Sequence, residues 1–126
     1  MRLFSSLMAI FMSSSAMAVT VTPIEDSEFS GGATCVIVNK EGKVLIDERI
    51  KIDGKWIELQ KKSFTQKSKS WSGPDTLISF TLGRGKVLES SDGGFSVGKT
   101  PAGKLVILHK GASINLVAHE ECYGSD

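Results

Sequence analysis

The chain has 126 residues, of which 40% are hydrophobic and 23% are charged, with fifteen basic and fourteen acidic side chains. This length allows one small domain with a modest core. The nearly neutral charge excludes a general nucleic-acid binder, because binding to phosphate backbones needs a basic excess.

Residues 1–18 have the order of features of a secretory signal peptide. Arg2 supplies a positive charge, an apolar run covers residues 3–12, and an Ala-x-Ala motif ends at Ala18. The apolar run is shorter than the roughly 20 residues that a membrane-spanning helix needs. We therefore expect an exported chain that begins near Val19, has no membrane span, and resides in the periplasm or is secreted.

Residues 19–32 begin with a β-prone piece, turn acidic and end in two glycines, which predicts a mobile or loosely attached N-terminal arm. From residue 33 onward, short apolar or alternating runs are separated by turn residues, and no helical periodicity is sustained. This pattern predicts one all-β domain over residues 33–126, a small antiparallel barrel or meander of about eight strands with few exposed edges. The predicted strands are 33–38, 43–52, 55–62, 76–82, 86–90, 94–98, 104–109 and 113–119.

The turns between these strands have their own signals. Asp53-Gly54 is the strongest, because a type I′ hairpin turn needs a positive φ at both central residues. Glu41-Gly42 and Lys110-Gly111 are weaker signals of the same kind. Such short turns predict that neighbouring strands are antiparallel.

The two cysteines, Cys35 and Cys122, lie near the start and the end of the predicted domain. Two cysteines allow one pairing, and an oxidising compartment favours it. We expect this disulfide to tie the first strand to the last and to stabilise the fold by roughly 4 kcal/mol in the chain-entropy model. The alternative, a reactive thiol or a metal ligand, has only His119, Glu120 and Glu121 as nearby ligand types.

No arrangement of residues in the sequence indicates catalysis. His109 and His119 are predicted at opposite ends of one hairpin, which disfavours a shared metal or an acid–base pair. Adjacent Glu120 and Glu121 point to opposite faces of a strand and cannot act as paired carboxylates. The glycine-rich residues 83–86 lack the spacing of a phosphate-binding loop. We therefore predict a binding protein without a cofactor or a metal, and not an enzyme.

The stretch KKSFTQKSKSWSGPD, residues 61–75, carries four lysines and no acid before Asp75. Two interpretations are open. Trp71 folds back to cap the end of the barrel and the lysines are merely solvated, or the stretch is a projecting loop whose indole ring anchors a partner. In the second interpretation the binding residues are Lys67, Lys69, Trp71, Ser72 and Gly73.

Several features follow one another along the chain: an export signal, Cys35 before the first strands, the hairpin IDGKWIELQ, the pair Ser72-Gly73, the stretch TLGRGKVLESSDGG, and an apolar strand that runs into Cys122. In these features nearly all of the predicted domain resembles the C-type lysozyme inhibitors of Gram-negative envelopes, membrane-bound and periplasmic, and the related neisserial adhesin complex protein. The resemblance implies an eight-stranded antiparallel barrel with a disulfide between its ends.

In those inhibitors a Ser-Gly-Ala-x-Tyr loop reaches the catalytic carboxylates of the lysozyme. Ser72 and Gly73 match this loop, whereas Pro74 and Thr76 stand where the family has Ala and Tyr. Because C-type lysozymes are basic, the lysines of residues 61–75 favour a target with an acidic surface.

These observations lead to the hypothesis of an exported periplasmic inhibitor or immunity protein. Its partner would be a protein, either a cell-wall-degrading, lysozyme-like enzyme or another toxin, which it blocks through the projecting loop. Two alternatives are an envelope adhesin or ligand-binding module for anionic glycan, and a structural envelope protein with no discrete site. The sequence makes no prediction of the oligomeric state.

Overall fold

The computed structural model describes residues 19–28, 34–92 and 95–125, so the predicted signal peptide and residues 29–33 lie outside the described residues. A short 3₁₀ helix, Asp26–Glu28, comes first. Within the described ranges no helix is both long and apolar enough to cross a membrane. The strands are β1 (Thr34–Asn39), β2 (Gly42–Ile46), β3 (Arg49–Ile52), β4 (Lys55–Glu58), β5 (Gln60–Phe64), β6 (Ser68–Gly73), β7 (Thr76–Thr81), β8 (Leu88–Asp92), β9 (Phe95–Lys99), β10 (Gly103–His109) and β11 (Ala112–Ser125).

The described strands form one antiparallel sheet that closes nearly into a barrel. Nine of them pair in the order β4-β3-β2-β1-β11-β10-β7-β6-β5. The two ends of this order, β4 and β5, are separated in the chain only by Leu59, whose N–H donates to the carbonyl oxygen of Glu48 at 2.8 Å. Because β4 and β5 make one bent strand, the nine strands fill eight positions around the barrel. The predicted all-β fold class is confirmed.

The last strand, β11, extends beyond the predicted range of 113–119 and holds two parts of the molecule together. Residues 118–123 pair with β1, and the opposite edge of β11 pairs first with β10 and then, from Glu121 onward, with β9. β8 pairs with β9 alone, so these two strands form a hairpin beside the barrel. Cys35 and Cys122 are direct partners in the β1–β11 register, with Cα atoms 4.0 Å apart, and the predicted disulfide joins them.

The predicted strand 43–52 is wrong in one respect, because a tight turn at Asp47-Glu48 divides it into β2 and β3. Both turn residues have a positive φ, 51° and 60°, as do Asp53 and Gly54 in the correctly predicted next turn, at 52° and 79°. Positive φ values at two neighbouring residues suit the twist of a two-residue hairpin. Without a glycine or an asparagine, Asp47-Glu48 carries no strong turn signal.

The prediction of a projecting loop over residues 61–75 is also wrong. These residues form the hairpin of β5 and β6 and the turn that leads into β7. Side chains alternate along β6, so that Trp71 points into the core while Ser70 and Ser72 lie on the outer face. Lys69 points to the same side of β6 as Trp71. Because this inward-facing residue is a lysine, the sequence of β6 does not show the apolar–polar alternation of a half-buried strand.

The barrel interior is filled with aliphatic side chains from opposite walls, together with two aromatic rings. Removal of each such side chain from water contributes about 1.5–3 kcal/mol to folding. The buried members of this cluster are Ile37, Val44, Leu45, Ile50, Ile52, Leu59, Trp71, Ile78, Phe80, Leu105, Ile107 and Ala118.

The N-terminal segment 19–28 is attached to the barrel wall, which corrects the expectation of a loose arm. β2 and β3 pair directly at only two positions, and the segment lies where they separate. The N–H of Ile24 donates to the carbonyl oxygen of Lys43, and the N–H of Thr22 donates to that of Lys51, both at 2.8 Å. The segment therefore bonds to both strands and fills the gap between them.

The side chains of this segment pack on both surfaces of the wall. Val19 and Val21 contact the barrel core, whereas Ile24 is buried on the outer side with Val36 and Ile46. An alternating apolar strand thus completes the wall, and its hydrophobic burial holds it there.

Replacement of Ile24 by alanine should lower the free energy of unfolding by about 2–5 kcal/mol, because it leaves a cavity beside Val36 and Ile46. Urea denaturation followed by tryptophan fluorescence measures this loss. Leu88→Ala is the matched control, since Leu88 is 71% exposed and its truncation should change stability by no more than about 0.5 kcal/mol. Equal stabilities of Ile24→Ala and the unmodified protein would contradict an attached N-terminal segment.

Candidate functional site

The barrel opens beside the disulfide into a cleft of about 420 Å³, which we call the mouth cleft. The β2–β3 turn and strands β1, β2, β5, β6 and β11 form its walls. Of the predicted site residues, the mouth cleft brings together Lys69, Trp71 and Cys35. Its lining consists of Cys35, Ile37, Leu45, Asp47, Glu48, Lys61, Phe64, Lys69, Trp71 and Glu120.

Two aromatic rings meet in the mouth cleft. Trp71 is a buried core residue, and the Phe64 ring contacts it edge-on with centroids 5.3 Å apart. Phe64 is 43% exposed. The predicted role of Trp71 as an exposed anchor is therefore wrong, and Phe64 is the aromatic ring that a partner can reach. Sequence reasoning passed over Phe64 because the tryptophan lay beside the more prominent Ser-Gly-Pro turn.

Lys69 forms an ion pair with Glu120, which lies on β11 on another wall of the barrel. Their side chains are 18% and 9% exposed, so each charge has lost most of its water and depends on the other. Thr100 holds this part of β11, since its hydroxyl oxygen accepts from the Glu120 N–H at 2.8 Å. Lys69 was predicted to contact a partner, but the fold uses it as an internal counter-ion.

The other lysine of the mouth cleft is also paired. Lys61 Nζ lies 3.7 Å from Glu48 Oε2, and Lys61 and Lys69 approach the Phe64 ring, with Nζ 4.9 and 5.1 Å from its centroid. Positive charge inside the mouth cleft is therefore matched by nearby carboxylates.

Unpaired positive charge lies just outside the mouth cleft, on four exposed side chains that we call the basic rim: Lys62, Lys67, Arg84 and Lys86. Among the described residues none of the four has an ion-pair partner. The N–H of Leu82 donates to the carbonyl oxygen of Lys67 at 2.9 Å, which holds the loop with Arg84 and Lys86 beside the β5–β6 turn. The four charges therefore occupy two neighbouring segments.

The turn that presents Lys67 is ordered by its own hydrogen bonds. The Thr65 N–H donates to the carbonyl oxygen of Ser68 at 2.8 Å, and the Thr65 hydroxyl accepts from the Ser68 N–H at 3.0 Å. Local side-chain to backbone bonds of this kind favour turns. The tip of the β5–β6 hairpin is thus an ordered turn that presents Lys67.

Ser72 and Gly73 lie at the other end of β6, five and six residues from Lys67, which is roughly 17–20 Å along a strand. A Cβ on Gly73 would lie 2.7 Å from the carbonyl oxygen of Glu58, so close packing of the backbone requires this glycine. Ser72 faces outward and is half-buried. The predicted set of binding residues is therefore split between two ends of the barrel.

Thr76, which follows the turn after β6, is buried. Its hydroxyl donates to the carbonyl oxygen of Pro74 at 2.7 Å and lies 2.8 Å from Nδ1 of His109. Both bonds are internal and the side chain is buried, so this hydroxyl does not face a partner. His109 is buried as well, in the support of this turn.

The carboxylate of Glu121 joins two other side chains on the outer face of β11. His119 Nε2 lies 2.7 Å from Glu121 Oε2, and the Tyr123 hydroxyl donates to Glu121 Oε1. Burial by itself would raise the pKa of Glu121, but hydrogen bonds from Tyr123 and His119 outweigh it and hold the pKa below its ordinary value. Burial and the hydrogen bond to Glu121 raise the pKa of Tyr123 to about 12.

One group of metal-ligand types occurs among the described residues, formed by Cys35, Cys122 and Glu120 with their ligand atoms within 4.8 Å of one another. The disulfide consumes both sulfur atoms, and Glu120 is paired with Lys69. The group is better suited to hold the mouth cleft together than to bind a cation.

Comparison of the chain with protein-family models, with curated proteins and with solved structures finds no match. The geometry described above is therefore the basis for any functional assignment.

We expect the single tyrosine of the chain to ionise at a pH near 12, which absorbance at 295 nm reports without interference from another phenol. The Glu121→Gln variant should lower this pKa only part of the way to its ordinary value, because burial is the larger cause. Stability should fall as the pH rises from about 10 to 12, since the unfolded chain releases the phenolic proton first. An ordinary tyrosine titration in the folded protein would contradict the hydrogen-bonded cluster.

Lys67 and Lys69 form a matched pair of lysines in one hairpin with different roles. Lys69→Ala should lower the free energy of unfolding by about 2–3 kcal/mol, because it leaves the Glu120 carboxylate buried without a counter-ion. Lys67→Ala should change stability by less than about 0.5 kcal/mol. Chemical denaturation of both variants measures this difference. Equal losses of unfolding free energy would show that the ion pair does not stabilise the fold.

Proposed function

We propose that this chain is an exported inhibitor or immunity protein that binds a cell-wall-degrading or other toxic enzyme, with the basic rim as its contact surface. The observation that carries this proposal is the position of four exposed, unpaired basic side chains at one end of the barrel. The disulfide supports export, because such bonds persist in oxidising compartments.

The shape of the basic rim suits an enzyme cleft. Glycoside hydrolases act with a pair of carboxylates in an open groove, and this groove attracts cations. The tip of the β5–β6 hairpin carries Lys67 on an ordered turn, which the bond from the Leu82 N–H to the Lys67 carbonyl oxygen holds in place. An ordered, basic turn loses little conformational entropy when it binds at such a groove.

Electrostatics also favour an acidic partner over a basic one. Complementary charge accelerates association and disfavours partners of like charge. Since Lys61 and Lys69 are paired internally, the charge available to a partner at the mouth of the barrel comes from the basic rim. This replaces the projecting loop of residues 61–75 as the proposed contact element.

The second candidate function, an adhesin or ligand-binding module for anionic glycan, is favoured by Phe64. Its ring is partly exposed in the mouth cleft, and an aromatic ring can contact a sugar while the cations of the basic rim outside the cleft bind its acidic groups. The two candidates share the basic rim but differ in the need for Phe64.

The double variant Lys62→Glu/Lys67→Glu should weaken inhibition of a sensitive enzyme by about tenfold or more, because it reverses charges that face the enzyme's carboxylates. The measurement is the turbidity of a cell-wall suspension during digestion by each of a panel of wall-degrading glycosidases. Lys55→Glu/Lys110→Glu is the matched control, since it makes the same charge change on exposed lysines at the other end of the barrel. Equal weakening by both double variants would remove the basic rim as the contact surface.

The same variants tested on immobilised sulfated polysaccharide separate the two candidates. Binding that falls in Phe64→Ala and in added salt, with no glycosidase inhibited, would replace the inhibitor by the glycan-binding module. If the protein neither inhibits an enzyme nor binds the polysaccharide, the proposal that the basic rim is a binding surface is wrong.

A further inference from the structure

Where four neighbouring strands, β6, β7, β10 and β11, run side by side, their outer face has a single charged residue, and we call it the low-charge face. The strand registers arrange it in three rows of four. These rows are Ser72, Leu77, Leu108 and Ser113; Ser70, Ser79, Val106 and Asn115; and Ser68, Thr81, Lys104 and Val117.

The low charge is a local property of this face. On the opposite side of the barrel, β2 and β3 carry ion pairs to the N-terminal segment, formed by Lys43 with Asp26 and by Lys51 with Glu28. That side is covered by the chain itself, whereas no described segment covers the low-charge face. Depletion of charged residues distinguishes the cores of protein interfaces from the rest of a protein surface.

The low-charge face also concentrates exposed apolar side chains. Leu77, Leu108 and Val117 are 54%, 44% and 74% exposed, and they are three of the six large hydrophobic residues left exposed in the described part of the chain. Leu77 and Leu108 are direct partners in the β7–β10 register, and Val106 is next to Leu108 on the same side of β10. Apolar surface is therefore contiguous across two strands.

The chemistry of this face identifies the partner that it fits. One lysine among twelve residues gives no basis for an anionic polymer, and the face has no aromatic ring on which a sugar could stack. It needs a flat partner that is also nearly uncharged, and a second copy of the same face meets this requirement. Two sheets packed about 10 Å apart would interdigitate serine, valine and leucine side chains.

The size of the face sets the strength of such a contact. Four strands at about 4.8 Å and three rows at about 6.8 Å cover roughly 400 Å² on each copy, or about 800 Å² in total. This area is smaller than the roughly 1,200–2,000 Å² of stable complexes, so the contact should be weak. A dissociation constant between about 10 µM and 1 mM is in keeping with a small, uncharged interface.

We propose that the low-charge face pairs with the same face of a second copy to form a weak, twofold-symmetric dimer. When two copies of the face meet across a twofold axis, no rows of like charge oppose each other. The reason is that Lys104 is the single charge among the twelve residues and lies in the outermost row. The basic rim lies on the β5–β6 hairpin and on the loop after β7, at the mouth of the barrel, and stays exposed, so the dimer presents two copies of the rim. This inference does not depend on the function proposed for the basic rim.

Sedimentation velocity of the purified protein from about 10 µM to 1 mM tests the proposal. The sedimentation coefficient of the unmodified protein should rise with concentration toward that of a dimer. Leu77→Lys and, as a second variant on another strand, Val117→Lys should remain monomeric over the whole range. Leu88→Lys is the matched control, because it places the same charge on an exposed leucine of β8, outside the low-charge face, and it should dimerise like the unmodified protein.

Circular dichroism of each variant verifies that the β fold is intact before sedimentation is compared. A monomeric unmodified protein at the highest concentration overturns the proposal. So does dimerisation of both Leu77→Lys and Val117→Lys at the level of the unmodified protein. Loss of the dimer in Leu88→Lys alone would place the interface on the β8 edge and reject the low-charge face.

Discussion

The pairing of β1 with β11 is the contact on which the rest of the structure depends. It joins strands from opposite ends of the domain, and the Cys35–Cys122 disulfide ties them over a sequence separation of 87 residues. Such long-range pairing has a cost in loop-closure entropy. The disulfide lowers this cost because it already restricts the conformations of the unfolded chain. Once β1 and β11 are paired, the wall runs on through β10 and β7 on one side and through β2 and β3 on the other.

This closure also creates the mouth cleft and its ion pair. Glu120 is two residues before Cys122 on the same face of β11, and the closed wall brings it to Lys69 of β6. A charged pair with little access to water adds less to net stability than its Coulomb energy suggests, but the loss of one partner is costly. The pair therefore specifies how the walls meet, and it removes Lys69 from the charges that a partner can contact.

The barrel has two unlike sides for a related reason. The gap between β2 and β3 is filled by the N-terminal segment, whose carboxylates neutralise the lysines of those strands. The side formed by β6, β7, β10 and β11 has no cover from the described chain, and there serine, threonine and asparagine surround exposed leucine and valine side chains. At the mouth of the barrel, the described basic side chains without an ion-pair partner lie in two neighbouring segments, since the N–H of Leu82 donates to the carbonyl oxygen of Lys67.

The sequence by itself determined the fold class, the antiparallel hairpins and the disulfide. These follow from local chemistry: side chains that alternate, a glycine where φ must be positive at Asp53-Gly54, and two cysteines that can pair only with each other. Only the tertiary structure decided which lysines face solvent and whether Trp71 is exposed. Lys69 and Glu120 are 51 residues apart in the chain, so their pairing depends on how the barrel closes. The sequence of β6 is typical of a polar loop because one of its inward-facing residues is a lysine. Only the fold shows that a carboxylate on the opposite wall pairs with this lysine.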